Sequence, residues 1–268
     1  MIVGSRYQQL RRGQTQVLQA NTDATPVELA CFEGFAELLL QAADKLAQEW
    51  AFEESRTAPL LLIRRLIDDF EAARILALHG LYDMAFMPLR DAVEACLLVR
   101  FFVAKPERGL RWARSAKEYS VKVVIAELKT NAPPEGHLWD PLSYLAHANC
   151  LPTVMAMKDT DVEPLRVRSF LAGGRADPRH LELVMHALLG EMFCALDALR
   201  DACGIVMGEQ FSEWWIGACA NAQKVSAVLS QYDAPNQRDR MALKEEQLMQ
   251  SLRRRMNIYP IGDTADSG

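Results

Sequence analysis

Apolar residues recur at helical spacing along almost the whole of this chain, and stretches that alternate apolar and polar residues are almost absent. Helical spacing places apolar side chains on one face of an α-helix, whereas alternation is typical of strands. Hydrophobic residues make up 50% of the 268 positions, which is enough to bury one large core. We therefore predict an all-α fold, a single bundle of about seven to eight helices.

Proline, glycine and capping residues set the boundaries of the predicted helices. Thr25, Pro26 and Glu28 begin a helix that runs to about Trp50, because a hydroxyl N-cap, a first-turn proline and an early acid suit a helix start. Other predicted helices cover about residues 57–79 (ended by Gly80), 82–104, 107–130, 179–203 and 209–231, with one more starting at Asp140. The predicted organisation is an N-terminal arm (1–24), a bundle domain (25–231) and a charged C-terminal helix and tail (232–268).

Charge and cysteine content narrow the classes of partner. The net charge of −5 does not support broad attraction to RNA, although arginine, which far outnumbers lysine, suits local phosphate recognition. The six cysteines lack metal-ligand spacing, which indicates a reduced compartment and predicts neither a metal nor a cofactor. No uncharged apolar run is long enough to cross a bilayer, so we expect a cytoplasmic protein without a membrane partner.

Arginine and histidine occur together at a spacing that is found in some helical ribonucleases. Residues five apart on a helix point about 140° away from each other, so such a pair diverges unless the helix is broken. The spacing by itself is weak evidence, because random placement of so many arginines produces matches. The pairs with the pattern Arg-x4-to-6-His are Arg74/His79, Arg175/His180 and Arg179/His186.

Charged residues interrupt the apolar faces of the second and third predicted helices. Arg74 lies in the middle of one apolar stripe, while Asp83, Arg90 and Glu94 share a line on a helix that is otherwise apolar. An unpaired buried charge is costly, so these groups need partners. We predict a buried polar network that is either a structural ion-pair cluster or a ligand or catalytic site. The alternative for Arg74 is a side chain that reaches solvent at the edge of its stripe.

The segment DPLSYLAHANC, residues 140–150, contains a second group of candidates. Ser143 and His147 share one helical stripe, and Tyr144 lies beside it. A serine hydrolase is disfavoured because the chain has no GxSxG turn and Asp140 suits an N-cap. His147 in this position can act as an acid or base near neutral pH, or can be an ordinary core histidine. Ser143 and Tyr144 join the candidates for ligand binding.

Taken in order, AARILALHGLYDMAFMPLRDAVEACLLVRFF and the later PLSYLAHAN resemble HEPN-like helical proteins of bacteria, in which a Leu-Arg-x-x-x-Glu helix precedes a Leu-Ser-x-x-x-His helix. The resemblance covers about residues 60–200. It implies a bundle that often pairs as a dimer, in families associated with RNA cleavage, toxin–antitoxin systems or phage defence. It points to Arg90, Glu94, Ser143 and His147. In the ribonuclease members the Arg-x4-to-6-His motif begins a late helix, a location that Arg179 and His186 match better than Arg74 does.

Two functions remain open at this stage. The first is a metal-independent endoribonuclease or RNA-targeting toxin, in which His147 or His186 assists proton transfer and Arg90 or Arg179 stabilises the phosphate. The alternative is a non-enzymatic interaction or small-ligand-binding protein whose buried polar network is structural. Both hypotheses expect a homodimer and are compatible with a further protein partner. The network of the alternative consists of Arg74, Asp83, Arg90, Glu94 and His147.

Overall fold

The computed structural model describes residues 3–115, 121–128 and 176–229. Within these ranges the chain forms eight α-helices and one short 3-10 turn, Glu54–Arg56, and contains no strand. The predicted all-α bundle is therefore confirmed. The helices are α1 (Val3–Ala24), α2 (Pro26–Trp50), α3 (Thr57–Leu78), α4 (Tyr82–Ala104), α5 (Pro106–Ser115), α6 (Val121–Leu128), α7 (Pro178–Val206) and α8 (Gln210–Leu229).

The predicted boundaries of α2, α3 and α4 agree with the structure to within about one residue. The region predicted as one helix over 107–130 contains two described helices, α5 and α6. Thr25 occupies the predicted N-cap position of α2, and its carbonyl accepts the amide of Leu29 at 3.0 Å, but its hydroxyl does not form the predicted capping bond. The Oγ1 of Thr25 instead donates to the carbonyl of Asn21, 2.9 Å away on α1. The predicted helix that begins at Asp140 lies outside the described residues.

Helix α7 runs through the centre of the bundle and packs against α2, α3, α4 and α8. Every side chain from residue 183 to residue 199 is buried, because this helix is apolar on all of its faces. Three polar side chains, His186, Glu191 and Asp197, lie within that buried stretch. Across the described ranges, we find no helix that combines the length and the apolar character needed to cross a bilayer.

The turn between α3 and α4 places the start of α4 beside the last carbonyl groups of α3. Gly80 has a φ of 72°, a left-handed conformation that glycine adopts without strain. The amide of Gly80 donates to the Ala77 carbonyl and the amide of Leu81 donates to the Leu76 carbonyl, both at 2.9 Å. These bonds are the pattern that ends many helices at a glycine, so the predicted stop at Gly80 is confirmed.

Candidate functional site

Asn21, Tyr82, Asp177 and His180 form a polar cluster at one end of the bundle, where α1, the end of α3, the start of α4 and the start of α7 meet. Asn21 and Tyr82 are both buried. Asn21 Nδ2 donates to the Leu78 carbonyl of α3 at 3.0 Å and lies 3.1 Å from the Tyr82 hydroxyl. That hydroxyl accepts a hydrogen bond from the backbone amide of Asp177 at 3.0 Å. The polar cluster therefore fixes the start of α7 against α1 and α4.

Asp177 holds His180 through two hydrogen bonds. As the N-cap of α7, its Oδ1 accepts the backbone amide of His180 at 3.2 Å, and its Oδ2 lies 2.7 Å from His180 Nδ1. The ring of His180 also stacks on Tyr82, with centroids 6.0 Å apart and an angle of 18° between the planes. A carboxylate at Nδ1 keeps the proton on that nitrogen, so Nε2 of the neutral ring is left as the acceptor.

The second ring nitrogen of His180 is buried and makes no hydrogen bond within the described ranges. An unsatisfied buried polar atom costs about 1–3 kcal/mol, so most proteins avoid one unless a ligand, a water molecule or a reaction uses it. The arrangement of carboxylate, imidazole and free nitrogen is the one that activates histidine as a general base. His180 is therefore the side chain of this cluster that is prepared for chemistry.

Arg179 precedes His180 in the first turn of α7 and is exposed. The positive end of the helix dipole at the start of α7 is met by the carboxylate of Asp177, which accepts the amide of His180. Arg179 adds a positive charge next to His180. Arg175, which is five residues before His180, lies outside the described residues.

The structure does not bring the predicted pair Arg179 and His186 together. Seven residues of helix separate their backbones by about 10 Å, and Arg179 is exposed whereas His186 is 0% exposed. Neither ring nitrogen of His186 has a hydrogen-bond partner in the described part of the chain. Its Nε2 lies 3.6 Å from Oε1 of Glu28 on α2, slightly too far for a hydrogen bond, although the approach of the imidazole still lowers the pKa of the Glu28 carboxyl. His186 is thus enclosed in the core of the bundle.

Arg74 finds its partner on its own helix rather than in a network with α4. Its Nε donates to Oε2 of Glu71 at 2.8 Å and its Nη2 to Oε1 at 2.5 Å, and the guanidinium lies 5.4 Å from the ring centre of Phe32. The hydrogen bonds to Glu71 raise the pKa of Arg74. His79 turns its Nδ1 to the Ile75 carbonyl at 2.8 Å. Among the described residues Arg74 and His79 therefore make no bond to each other, as the helical geometry predicts.

The charged residues that share one line on α4 are partly exposed and are not enclosed in the core. Asp83, Arg90 and Glu94 are all half-buried, and Arg90 Nη1 lies 3.6 Å from Oδ1 of the adjacent Asp91 instead of pairing with Glu94. No bond joins Arg90 to Glu94 in the described part of the chain, and the predicted role of His147 in this network lies outside it. Oδ2 of Asp91 also forms an ion pair with Nη2 of Arg65 on α3, at 3.3 Å.

Arg65 lies between two carboxylates, since its Nε is 3.4 Å from Asp69 Oδ2. Burial raises the pKa of Asp69 to about 6, against the opposing effect of Arg65. This surface is therefore a chain of charges that links α3 to α4. The remaining predicted candidates, Ser143, Tyr144 and His147, lie outside the described residues.

A second ionic group, which the sequence analysis missed, lies deeper in the bundle. Asp197 of α7 is 8% exposed and bonds to the guanidinium of Arg100 on α4. Its other oxygen lies 3.3 Å from Arg200, whose guanidinium is 5.5 Å from the ring centre of Trp215. One carboxylate thus neutralises two arginines that are partly enclosed by the bundle. The available signal was one acid within the apolar run 192–199 of α7 and one arginine within the apolar run 95–103 of α4.

Comparison of the chain with family models, with curated proteins and with solved structures found no match in any of the three. The function is therefore inferred from the geometry of the polar cluster and from the chemistry of its residues.

Proposed function

We propose that this chain is a HEPN-like bacterial stress or defence protein, a cytoplasmic homodimer that cleaves RNA without a metal ion. The observation that supports the proposal is the Asp177–His180 pair at the start of α7, with Nε2 of His180 free of any hydrogen bond in the described ranges and Arg179 alongside. The proposal assigns proton transfer to His180 in place of His186, because the side chain of His186 is 0% exposed, whereas that of His180 is 12% exposed and lies at one end of the bundle.

RNA supplies its own nucleophile, the 2′-hydroxyl group next to the phosphate that is broken. In the proposed reaction Nε2 of His180 takes the proton of that hydroxyl, and the oxygen attacks the adjacent phosphorus. The bond from phosphorus to the 5′-oxygen breaks, and the 5′-oxygen leaves with a proton, which the imidazolium or water supplies. A 2′,3′-cyclic phosphate and a 5′-hydroxyl are the products.

Asp177 would support this reaction without touching the reacting atoms, because it stabilises the imidazolium that forms on His180 and holds the ring in one orientation. Arg179, which lies outside the polar cluster, would stabilise the extra negative charge on the phosphate. Because Nε2 of His180 is covered in the free protein, the reaction requires this end of the bundle to open when RNA binds.

Purified full-length protein tests this function directly. We expect it to cleave single-stranded RNA in the presence of EDTA, because no step uses a metal ion. The matched control is the same oligonucleotide with 2′-deoxy sugars, which should remain intact because it lacks the nucleophile. Induced expression should arrest bacterial growth in parallel. Absence of RNA cleavage, or equal cleavage of the deoxy substrate, would exclude this reaction.

A second candidate function is a non-enzymatic interaction or ligand-binding protein in which the same cluster only fixes the bundle. The observation that favours it is that Asn21 and Tyr82 bond to each other and to the backbone of α3 and α7. In that case substitutions in the cluster should lower the melting temperature, and no RNA-cleaving activity should be present in the wild-type protein. The cleavage assay in EDTA therefore separates the two candidates.

A further inference from the structure

Helix α1 meets the rest of the bundle at its C-terminal end, where Asn21 is buried in the polar cluster. Farther from that end the helix is open to the described part of the chain: a side chain added at Gly13 would meet no described atom within 4 Å. Arg11 and Arg12 are exposed and form no ion pair within the described residues. Residues 3–22 contain three arginines, five glutamines and no acid. This helix is therefore a basic, amide-rich arm that projects from the bundle.

An open groove of about 610 Å³ lies between the second half of α2 and the start of α8. Apolar side chains of Leu38, Met207 and Trp214 contribute to its lining. Trp214 is held there by a hydrogen bond from its Nε1 to the Leu38 carbonyl, at 2.9 Å. The polar side chains that line the groove are three amides, two acids and one lysine, namely Gln41, Gln48, Gln210, Asp44, Glu213 and Lys45.

The two acids of this groove are available to a cationic partner. Asp44 and Glu213 are exposed, and neither is paired with a cation in the described part of the chain. Arg11 and Arg12 of the arm have the opposite charge and are also unpaired. Residues 3–24 carry three arginines and one acid, Asp23, which gives the arm a net charge of +2, so the net negative charge of the protein belongs to the rest of the chain. Opposite unpaired charges on two surfaces favour their association.

We infer that the groove of one copy receives the α1 arm of a second copy. No described side chain of the same chain's arm lines the groove, which begins at Leu38, twelve residues or about 18 Å of helix beyond Pro26, where α1 and α2 join. Two copies related by a twofold axis can each insert an arm into the other, so that the contact is made twice. The glutamine side chains of the arm match the amides of the groove in hydrogen-bonding capacity. The inference gives a geometry to the homodimer and does not depend on RNA cleavage.

This exchange of arms is tested with charge-reversal variants of the full-length protein, whose dimerisation is measured by sedimentation velocity. One variant carries Arg11→Glu and Arg12→Glu in the arm, and the other carries Asp44→Arg and Glu213→Arg in the groove. Each variant alone should dimerise at least about tenfold more weakly than wild type, because like charges then meet in both contacts. An equimolar mixture should regain the wild-type affinity, since both contacts of the mixed dimer pair opposite charges. Unchanged far-ultraviolet circular dichroism and melting temperature would show that each variant is folded.

Arg64→Glu on α3 is the matched control, because this arginine is 77% exposed and lines neither surface. It should leave the dimer affinity unchanged. A wild-type protein that stays monomeric at tens of micromolar would overturn the inference, as would a mixture that fails to restore dimerisation. If reversal of Arg253, Arg254 and Arg255 dissociates the dimer while reversal of the arm does not, the C-terminal segment is the contact and the inference fails.

Discussion

His180→Gln is expected to slow RNA cleavage by about 10²- to 10⁴-fold, the usual contribution of a general acid or base. Glutamine lacks a group that titrates near neutral pH, but its amide can still donate to Asp177. Glutamine is also a preferred residue at the third position of a helix that begins with an acidic cap, so α7 should keep its start. The measurement is the initial rate of cleavage of a fluorescent RNA, together with the melting temperature.

His186→Gln is the matched control for this substitution, since it makes the same chemical change six residues farther along α7. It should lower the melting temperature, because position 186 is 0% exposed, and should leave the cleavage rate of the folded protein within about threefold of wild type. The assignment to His180 is contradicted if His180→Gln retains the wild-type rate. It is also contradicted if His186→Gln loses activity while its stability is unchanged.

Asp197→Ala is expected to lower the free energy of unfolding by about 3–5 kcal/mol, the cost of removing one partner from a buried ion pair. The substitution leaves the guanidinium of Arg100, which is 21% exposed, without this carboxylate and also removes a partner of Arg200. The melting temperature should fall by on the order of 10 °C in a chain of this length. Urea unfolding followed by circular dichroism measures the change.

Asp201→Ala provides the comparison, because Asp201 is on the same helix and also approaches Arg200, at 3.5 Å, but is 90% exposed. Exposed ion pairs contribute little to stability, so the free energy of unfolding of this variant should stay within about 0.5 kcal/mol of that of wild type. Equal decreases in the free energy of unfolding for the two variants would mean that Asp197 is not a buried partner of Arg100.

Sequence periodicity was sufficient to predict the all-α bundle, because almost every helix has an apolar face that must be buried. The boundaries of α3 and α4 were predictable for a local reason, since Gly80 and Pro106 act on the backbone next to them. The same local chemistry was present at Asp177 and Pro178, an acidic N-cap and a first-turn proline, and it marks the start of α7. The start of α7 was therefore predictable to within one residue, although the cap alone does not mark the site.

The partners within the site could not be predicted, because they depend on contacts between distant segments. Asn21 lies at an ordinary polar position of α1, and only the fold brings it to Tyr82, 61 residues away. His180 belonged to one of the three arginine–histidine pairs, but spacing alone could not show that Asp177 would bond to its ring. Arg74 was assigned to a long-range network because it lies in an apolar stripe, whereas Glu71, three residues earlier, satisfies it locally.

The role of the Asp177–His180 pair is tested most directly by Asp177→Asn, measured as the RNA cleavage rate in EDTA beside the melting temperature. Asparagine caps helices as well as aspartate does, so α7 should keep its start and its stability. It cannot stabilise an imidazolium as a carboxylate does, so we expect the rate to fall by at least about tenfold at an unchanged melting temperature. A wild-type rate in the folded variant would contradict the proposal and leave this carboxylate with a structural role alone.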